Sequence, residues 1–504
     1  MTRRFMNQED RVPISMRNPV ILVLAGVILF SGGCMVGPTY KRASAPVPPA
    51  YKEEPPADFK EANGWKQAAP GDGVLKGKWW ELYKDPTLNA LEEQVSISNQ
   101  NVLLAEAQYH EAREAARLAH SSLFPTASVT PAITESRTAG GATPNVSSLH
   151  TSYSLPLDVS WGPDLWGSVR RNLTAAASVA QASAAQLENI RLIYQSELAQ
   201  DYFNLHGLDG EYQLLDRTVK SYQEFLTLTR NRFSGGVASD LDVAQAESQL
   251  YTAQSNMIDL GVARAQFEHA IAVLTGKPPA ELSLPAAVLH DTPPPVPIGV
   301  PSALLERRPD IAQSERQMAA SNEEIGIASA AFYPSLTLSG AAGFSSTSIG
   351  TWLSWPSRVF SVGPAAAEAI FDAGHRRAAL AQVLDAYDAA IAGYRQTVLN
   401  AFQQVEDNLA ALRILADEEV TVDQAVSSSE RALTISTVQY KAGTISYLAV
   451  ITAQATALNA ERTAVSLLTR RLIASVALIQ ALGGGWDTSQ LPTQPDVRAK
   501  GQRN

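Results

Sequence analysis

The sequence predicts a mainly α-helical chain, made of two copies of one helix-and-strand unit, that contributes four strands to a membrane β-barrel portion. Three observations predict this. First, proline is absent from two long stretches, Asp164 to Lys277 and Ala365 to Leu491, both rich in Ala, Leu, Gln and Glu. Each has a central glycine turn, at Gly235-Gly236 and at Gly443. A proline-free run of good helix formers around such a turn reads as a long helical hairpin. Second, the halves repeat. The offset that carries Gly236 onto Gly443 also sets Phe233-Ser-Gly-Gly against Tyr440-Lys-Ala-Gly, Leu205 against Leu412 and Gly276 against Gly483. A slightly longer offset carries Phe124-Pro125 onto Tyr333-Pro334. Shared helical periodicity alone would not match glycines and aromatic-proline pairs. Third, each copy has a segment that alternates apolar with small polar residues, the period of a strand wetted on one face.

The N-terminus, residues 1–33, reads as an export signal. Arg11 and Arg17 precede the apolar run from Val20 to Phe30, which is shorter than the roughly 20 residues that span a bilayer and suits a signal h-region. Translation from Met16 would give a more ordinary signal. Small residues Ser31-Gly32-Gly33 then precede Cys34, the one cysteine of the chain. The arrangement resembles a lipobox, which would put a covalent lipid on Cys34; Ser31 stands where such boxes usually carry Leu. A disulfide within the chain and a thiolate cluster are both excluded.

Residues 34–75, with Pro46-Val-Pro-Pro49 and Pro55-Pro56, are expected to be an extended, poorly packed tether. The first repeat is assigned to 76–285, opening on Lys78-Trp-Trp-Glu-Leu-Tyr-Lys-Asp-Pro86 with a helix from about Leu88 to Ser122. Its strands are expected at about 126–134 and 153–161. A Pro-rich linker, 286–302, leads to the second repeat, 303–486, with strands at about 335–344 and 358–363 and a glycine stop at Gly483-Gly-Gly-Trp486. Residues 487–504 form a C-terminal tail. A helix of some 60 residues would reach about 90 Å. Four strands cannot close a barrel, and lipid tolerates no open sheet edge, so other copies must complete it.

Composition narrows the function. A net charge of −10 excludes a broad nucleic-acid surface. Beyond Met35 the methionines are Met257 and Met318, too few for a thioether relay of soft metal ions. The seven histidines show no ligand spacing, and no nucleophile elbow, phosphate loop or dinucleotide fingerprint occurs. No catalytic residue, metal site or cofactor is therefore assigned.

Cys34-Met-Val-Gly-Pro-Thr-Tyr40, Arg307-Arg-Pro-Asp-Ile311, Phe332-Tyr-Pro-Ser-Leu336, Ile370-Phe-Asp-Ala-Gly374 and Ala481-Leu-Gly-Gly-Gly-Trp486 resemble the outer-membrane factor lipoproteins of efflux systems, of the TolC and OprM type and NodT-like subgroup. The resemblance implies a homotrimer with a 12-helix periplasmic α-barrel and a 12-stranded outer-membrane β-barrel. It implies work with a periplasmic adaptor, or membrane fusion, protein and an inner-membrane transporter, commonly proton-driven. It implies a lipid-anchored exit channel with most of the chain in the periplasm and no chemistry of its own.

The resemblance also places a gate where the helices meet near the glycine turns. Leu448 falls on an apolar gate position, while Ala449 and Thr452 stand where acids are expected. Copy one instead carries Asp240, Asp242 and Glu247. Two readings of Asp240 and Asp242 stand side by side: a negative mouth that focuses cations, or carboxylates that cap the first turn after Gly236. Tyr440, Tyr447 and Leu448 belong to a gate or pack between helices. Gly235, Gly236 and Gly443 are candidate adaptor-docking turns. Trp161, Trp166, Trp352 and Trp355 belong to an interfacial belt or to ordinary packing. The rival reading is a lipid-anchored periplasmic coiled-coil adaptor or scaffold without a pore.

Overall fold

The computed structural model describes residues 35–53, 77–138, 148–289, 292–296 and 301–499. Cys34 and the signal lie outside them, as do 54–76 and parts of the linker. The chain divides into two units. One comprises the described residues up to Thr39 with Leu118–Thr174 and Asn322–Leu384; the other comprises the rest.

The repeat governs the elements. Helix α1, Pro86–Ser98, is followed by α2, Gln100–Ser121, then α3, Ser168–Ser234, and α4, Asp240–Leu274. After a short turn at Leu304–Arg307 come α5, Pro309–Ala330, α6, His375–Lys441, and α7, Tyr447–Ala481. Helices α3 and α6 have 67 residues each, α4 and α7 have 35, and α2 and α5 have 22. The offset from Gly236 to Gly443 carries both ends of α3 and α4 onto those of α6 and α7, Ser168 onto His375 and Leu274 onto Ala481. The offset from Phe124 to Tyr333 carries α2 onto α5, Gln100 onto Pro309 and Ser121 onto Ala330.

The expected single helix from Leu88 to Ser122 is broken at Asn99, whose backbone is extended (φ −64°, ψ 122°). Asn99 ends α1 and starts α2: its Oδ1 accepts from the amides of Asn101 and Val102, and its Nδ2 donates to Leu274 O at 2.8 Å. Apolar periodicity runs through this site and hides the break. A buried asparagine in a helical pattern is the one local signal for it, because its side chain competes with the backbone for hydrogen bonds.

In the sheet unit the strands are β1, Thr126–Val129, β2, Ala132–Thr138, β3, Ser148–Trp161, β4, Ser335–Ser346, and β5, Arg358–Ala367. All pairing is antiparallel, and the order is β1 and β2 along β3, then β4, then β5. β1 and β2 hold one register on β3, Val129 facing Leu157 and Ala132 facing Ser154. They are one strand interrupted at Pro131, so the sheet has the four expected positions. The interruption has a cause: Thr130 donates to Pro156 O at 3.4 Å, and Pro156 has no amide with which to return the bond. All four positions extend beyond their expected ends, to Thr138, back to Ser148, to Ser346 and to Ala367, because the added residues are mainly polar or alanine and carry little apolar alternation.

In the helical unit, one core gathers Trp79, Leu88, Leu198, Ile271, Ile311 and Leu409, all with almost no exposure. Each such side chain contributes roughly 1.5–3 kcal/mol by leaving water. α7 is long and apolar enough to cross a membrane by composition, but half of its most apolar stretch is buried among these helices.

The connector after α4 is tied down by Asp209. Its buried carboxylate accepts from His206 Nδ1 (2.9 Å), Arg264 Nε (2.7 Å) and the Ala287 amide (3.1 Å). Burial alone would raise its pKa, but these three donors and the Arg264 charge hold it below the usual carboxylate range. A depressed pKa stabilises the fold above the unfolded value and loses that effect as pH falls through the folded value. Asp209→Asn is therefore expected to cost about 2 kcal/mol at neutral pH, within the range for hydrogen bonds to charged groups. The difference from wild type should shrink as the pH falls below the ordinary carboxylate range in urea melts. A pH-independent difference would contradict this origin.

The expected poorly packed tether is corrected over residues 35–53. The segment is extended, as its prolines require, but it is docked along its length. Val36 donates to Trp166 O, and Gly37 lies so close to Gly326 that an added Cβ would sit 2.6 Å from the Gly326 Cα. In the helical unit Tyr40 bonds Glu315, Arg42 bonds Tyr394, and the Lys52 and Glu53 amides both donate to the Glu406 carboxylate. Arg413 pairs with Glu53 at 2.8 Å. Extended backbone has unpaired donors, and the helices supply charged acceptors for them.

Candidate functional site

Two regions carry functional geometry, one in each unit. The first is the sheet. Strand alternation and the register put Leu155, Leu157, Val159, Leu338, Phe360 and Val362 on one face. The other face carries Ser154, Ser160, Ser339, Ser361 and Gly363. The first face is apolar around Leu155, Leu157 and Val159 and carries Glu135, Arg137 and Arg358 toward the hairpin ends; an apolar band on one face and hydroxyls on the other is the pattern of a wall between lipid and water.

The aromatic candidates divide. Trp161 Nε1 donates to Leu123 O at 3.1 Å, just where α2 passes into β1. Trp166 stacks on Tyr333 at 4.7 Å and donates to Pro334 O at 2.7 Å, fixing the passage from α5 into β4. Trp352 lies against Tyr153, and Trp355 is exposed. In the same unit Arg171 pairs with Glu323 at 2.9 Å, both buried.

The second region is the pair of helix tips. The turns after α3 and α6 are the same turn. Val237 donates to Arg232 O and Gly236 to Phe233 O; at the matching positions of copy two, Thr444 donates to Gln439 O and Gly443 to Tyr440 O. Gly236 (φ +74°) and Gly443 (φ +77°) take the left-handed conformation, which costs any other residue a Cβ clash. Gly235 occupies the position of Ala442 and has no such requirement.

Ser239 caps α4 in a box with Asp242: the Ser239 hydroxyl accepts from the Asp242 amide, and the Asp242 carboxylate accepts from the Ser239 amide at 2.9 Å. The matching positions in copy two are Ser446, whose side chain makes no cap bond, and Ala449. The carboxylate missing at Ala449 thus exists in copy one as Asp242, where it serves a helix end. Asp240 is exposed in the first turn of α4, and Glu247 pairs with Arg230 at 2.6 Å.

Tyr447 is 2% exposed and lies 5.3 Å from the Tyr440 ring, within a cluster that includes Tyr222, Leu226, Leu250 and Val450. Burial raises the Tyr447 hydroxyl pKa, reinforced by Tyr440, Tyr222 and Asp242. Leu448 beside it is 58% exposed. Thr452 is exposed, and its hydroxyl donates back to Leu448 O at 3.0 Å.

Sequence reasoning missed Arg232. From α3 it donates to Tyr440 O at 2.8 Å, at the end of α6, and its guanidinium lies 4.6 Å from the Tyr440 ring centre. It joins the two tips by capping one helix end with a cation. The available signal was an asymmetry: copy two has Gln439 at that position. Among the described residues no group of His, Cys, Asp or Glu could hold a metal ion.

The chain is similar to known outer-membrane proteins over most of its length. The family model described as outer membrane efflux protein matches residues 91–277 and 300–484. The probable efflux pump outer membrane protein TtgC of Pseudomonas putida is 30% identical over 95% of this chain and 98% of its own. Outer membrane protein OprJ of Pseudomonas aeruginosa is 30% identical over 94% and 97%. The solved outer-membrane channel OprN is 29% identical, covers 90% of this chain and all of its own, and superposes with a TM-score of 0.83. The chain belongs to the outer membrane efflux protein family and is an outer-membrane exit channel.

Proposed function

We propose that three copies of this chain form a passive duct, carrying substrates from an inner-membrane transporter and a periplasmic adaptor to the exterior. The observation that carries the reading is the sheet: amphipathic, four strands wide, and open at both edges among the described residues. Open edges in hydrocarbon cost several kcal/mol per unpaired group, and three such sheets make a 12-stranded barrel. A poreless adaptor has no use for an apolar sheet face. The duct performs no chemistry itself, and no residue is assigned a catalytic role.

The tips at Gly236 and Gly443 are the adaptor-docking turns, and Gly235 is a secondary contact. Leu448 and Thr452 form the narrowest ring, uncharged, with Tyr447 as its packed support. Asp242 acts as a cap, and Asp240 is left to charge the mouth. Single-channel recording of the purified protein in planar bilayers tests the reading. Discrete conductance steps are expected; a scaffold gives none.

Cys34 carries the lipid, and Met35 after it favours outer-membrane sorting. Docking of Met35–Pro38 against Trp166, Gly167, Asn322 and Gly326 supports this, because it holds the chain next to Cys34 at the start of the strands. Cys34→Ser is expected to abolish palmitate labelling while leaving the assembly intact. Labelling retained in that variant would sink the assignment.

A further inference from the structure

The free edges of the sheet also have a derivable partner register. It rests on the assembly proposed above and goes further, to residue pairs. The duplication is not confined to helices. In copy one Thr126 faces Ser160 and Val129 faces Leu157. Moving the first strand on by the offset from Phe124 to Tyr333, and the second by the offset from Gly236 to Gly443, gives Ser335 facing Ala367 and Leu338 facing Pro364. These are the observed pairs of copy two. The same two offsets therefore relate hairpin to hairpin without slippage.

The remaining internal ladder joins copy one to copy two: Trp161 faces Leu338, Asp158 faces Ala341, and Leu155 faces Phe344. Its counterpart must join copy two to the copy one of another chain. The glycine-turn offset carries β3 onto β5, and the strand offset, reversed, carries β4 onto β1 and β2. We propose that β5 pairs antiparallel with β1 and β2 of a second copy of this chain, with Val362 opposite Glu135 and Ala365 opposite Ala132.

Side-chain and backbone parity both agree with that register, and the repeat selects it among the registers of the same parity. Side-chain parity is kept: Phe360, Val362 and Pro364 meet Arg137, Glu135 and Ile133, all on the face shared with Leu155 and Leu157. A slip of one residue would turn Phe360 and Val362 against the hydroxyl face. Backbone parity is kept as well. The Thr130 to Pro156 bond shows that even-numbered residues of β1 and β2 bond to β3, so the amides of Ile133, Glu135 and Arg137 point to the free edge. The same phase in copy two leaves Phe360, Val362 and Ala366 facing outward from β5. Groups with outward amides thus meet each other.

The ends of the seam fit too. Ile370 and Phe371, just after β5, are 96% and 87% exposed, and Phe124, just before β1, is 57% exposed. At the internal junction the equivalent of Phe124 is Tyr333, which stacks on Trp166 of the same chain and keeps 43% exposure. Ile370 and Phe371 lie where another copy's Phe124 would meet them.

Paired cysteines in the full-length protein test the register. Directly opposite Cβ atoms lie about 4.5–5.5 Å apart and diagonal ones about 7–8 Å, beyond disulfide reach. Ala365→Cys with Ala132→Cys is expected to give oxidised dimers and trimers on non-reducing gels. The slipped pairs, Ala365→Cys with Thr130→Cys or with Thr134→Cys, should remain largely monomeric. Each single variant controls for Cys34. Native mass measurement reports assembly separately. Cross-linking through a slipped pair, or trimers that no pair cross-links, would overturn the register while leaving the assembly standing. Absence of any trimer from the wild type would remove both.

Discussion

Replacing Arg232 with alanine is expected to loosen the helix tips and raise the open probability of the channel. Arg232 adds a charged hydrogen bond between the two hairpin tips to the packing of Tyr222, Leu226 and Leu250 against Tyr440, Tyr447 and Val450. Its bond to Tyr440 O is charge-assisted, worth about 1.5–3 kcal/mol. Its position over the Tyr440 ring adds roughly 0.5–1 kcal/mol at a partly exposed site. A shift of about 2 kcal/mol between closed and open tips changes their ratio by more than about tenfold. The buried pair of Tyr440 and Tyr447 remains, so the hairpins stay folded and the effect concentrates at the tip. Arg232→Lys keeps the charge but loses the planar fork and should fall between the two. Conductance and open probability in planar bilayers check this. Traces for Arg232→Ala indistinguishable from wild type would show that the clasp does not hold the tip.

Arg171→Ala is expected to be the most destabilising single change in the sheet unit. Arg171 and Glu323 are buried together at 2.9 Å. Gly326 admits the pair: an added Cβ there would meet the Arg171 side chain at 2.1 Å. Removing one partner leaves a buried carboxylate without its cation, a change that costs about 3–5 kcal/mol. Removing both is different. Arg171→Met with Glu323→Leu replaces the pair by apolar volume and should recover most of the loss, because the ions' desolvation penalty disappears with them. Thermal or urea unfolding of the three proteins checks the order wild type, double variant, single variant. A double variant as unstable as the single would show that packing, not charge, dominates at this site.

Much of the architecture was legible because it is written locally and then repeated. Proline spacing and the glycines at 236 and 443 defined the hairpins. The two offsets defined the repeat, and the structure keeps them down to strand register. The candidate site was legible only in part. Gly236 and Gly443 were found because a left-handed turn demands a specific residue. Asp242 carried two readings that local pattern could not separate, and the structure places its carboxylate in a capping box. Tyr447 and Leu448 are neighbours of similar apolar character, and one is buried while the other is exposed.

Sequence by itself determined the duplication, the four strand positions, the helical hairpins and hence the kind of assembly they require. Those properties follow from near-neighbour periodicity and from residues whose backbone preferences are strict. Only the tertiary structure decided the break at Asn99, the clasp by Arg232, the anchoring of the connector by Asp209 and the docking of the extended N-terminal segment. Each depends on a polar group meeting a partner far along the chain: Asn99 finds Leu274, Arg232 finds Tyr440, and Glu406 finds the Lys52 and Glu53 amides. At the buried Asn99 such a bond satisfies groups that would otherwise be left unpaired; at the half-exposed Arg232 and Glu406 it adds a charge-assisted contact. Nothing in the spacing of neighbours along the chain specifies which distant partner such a group will meet.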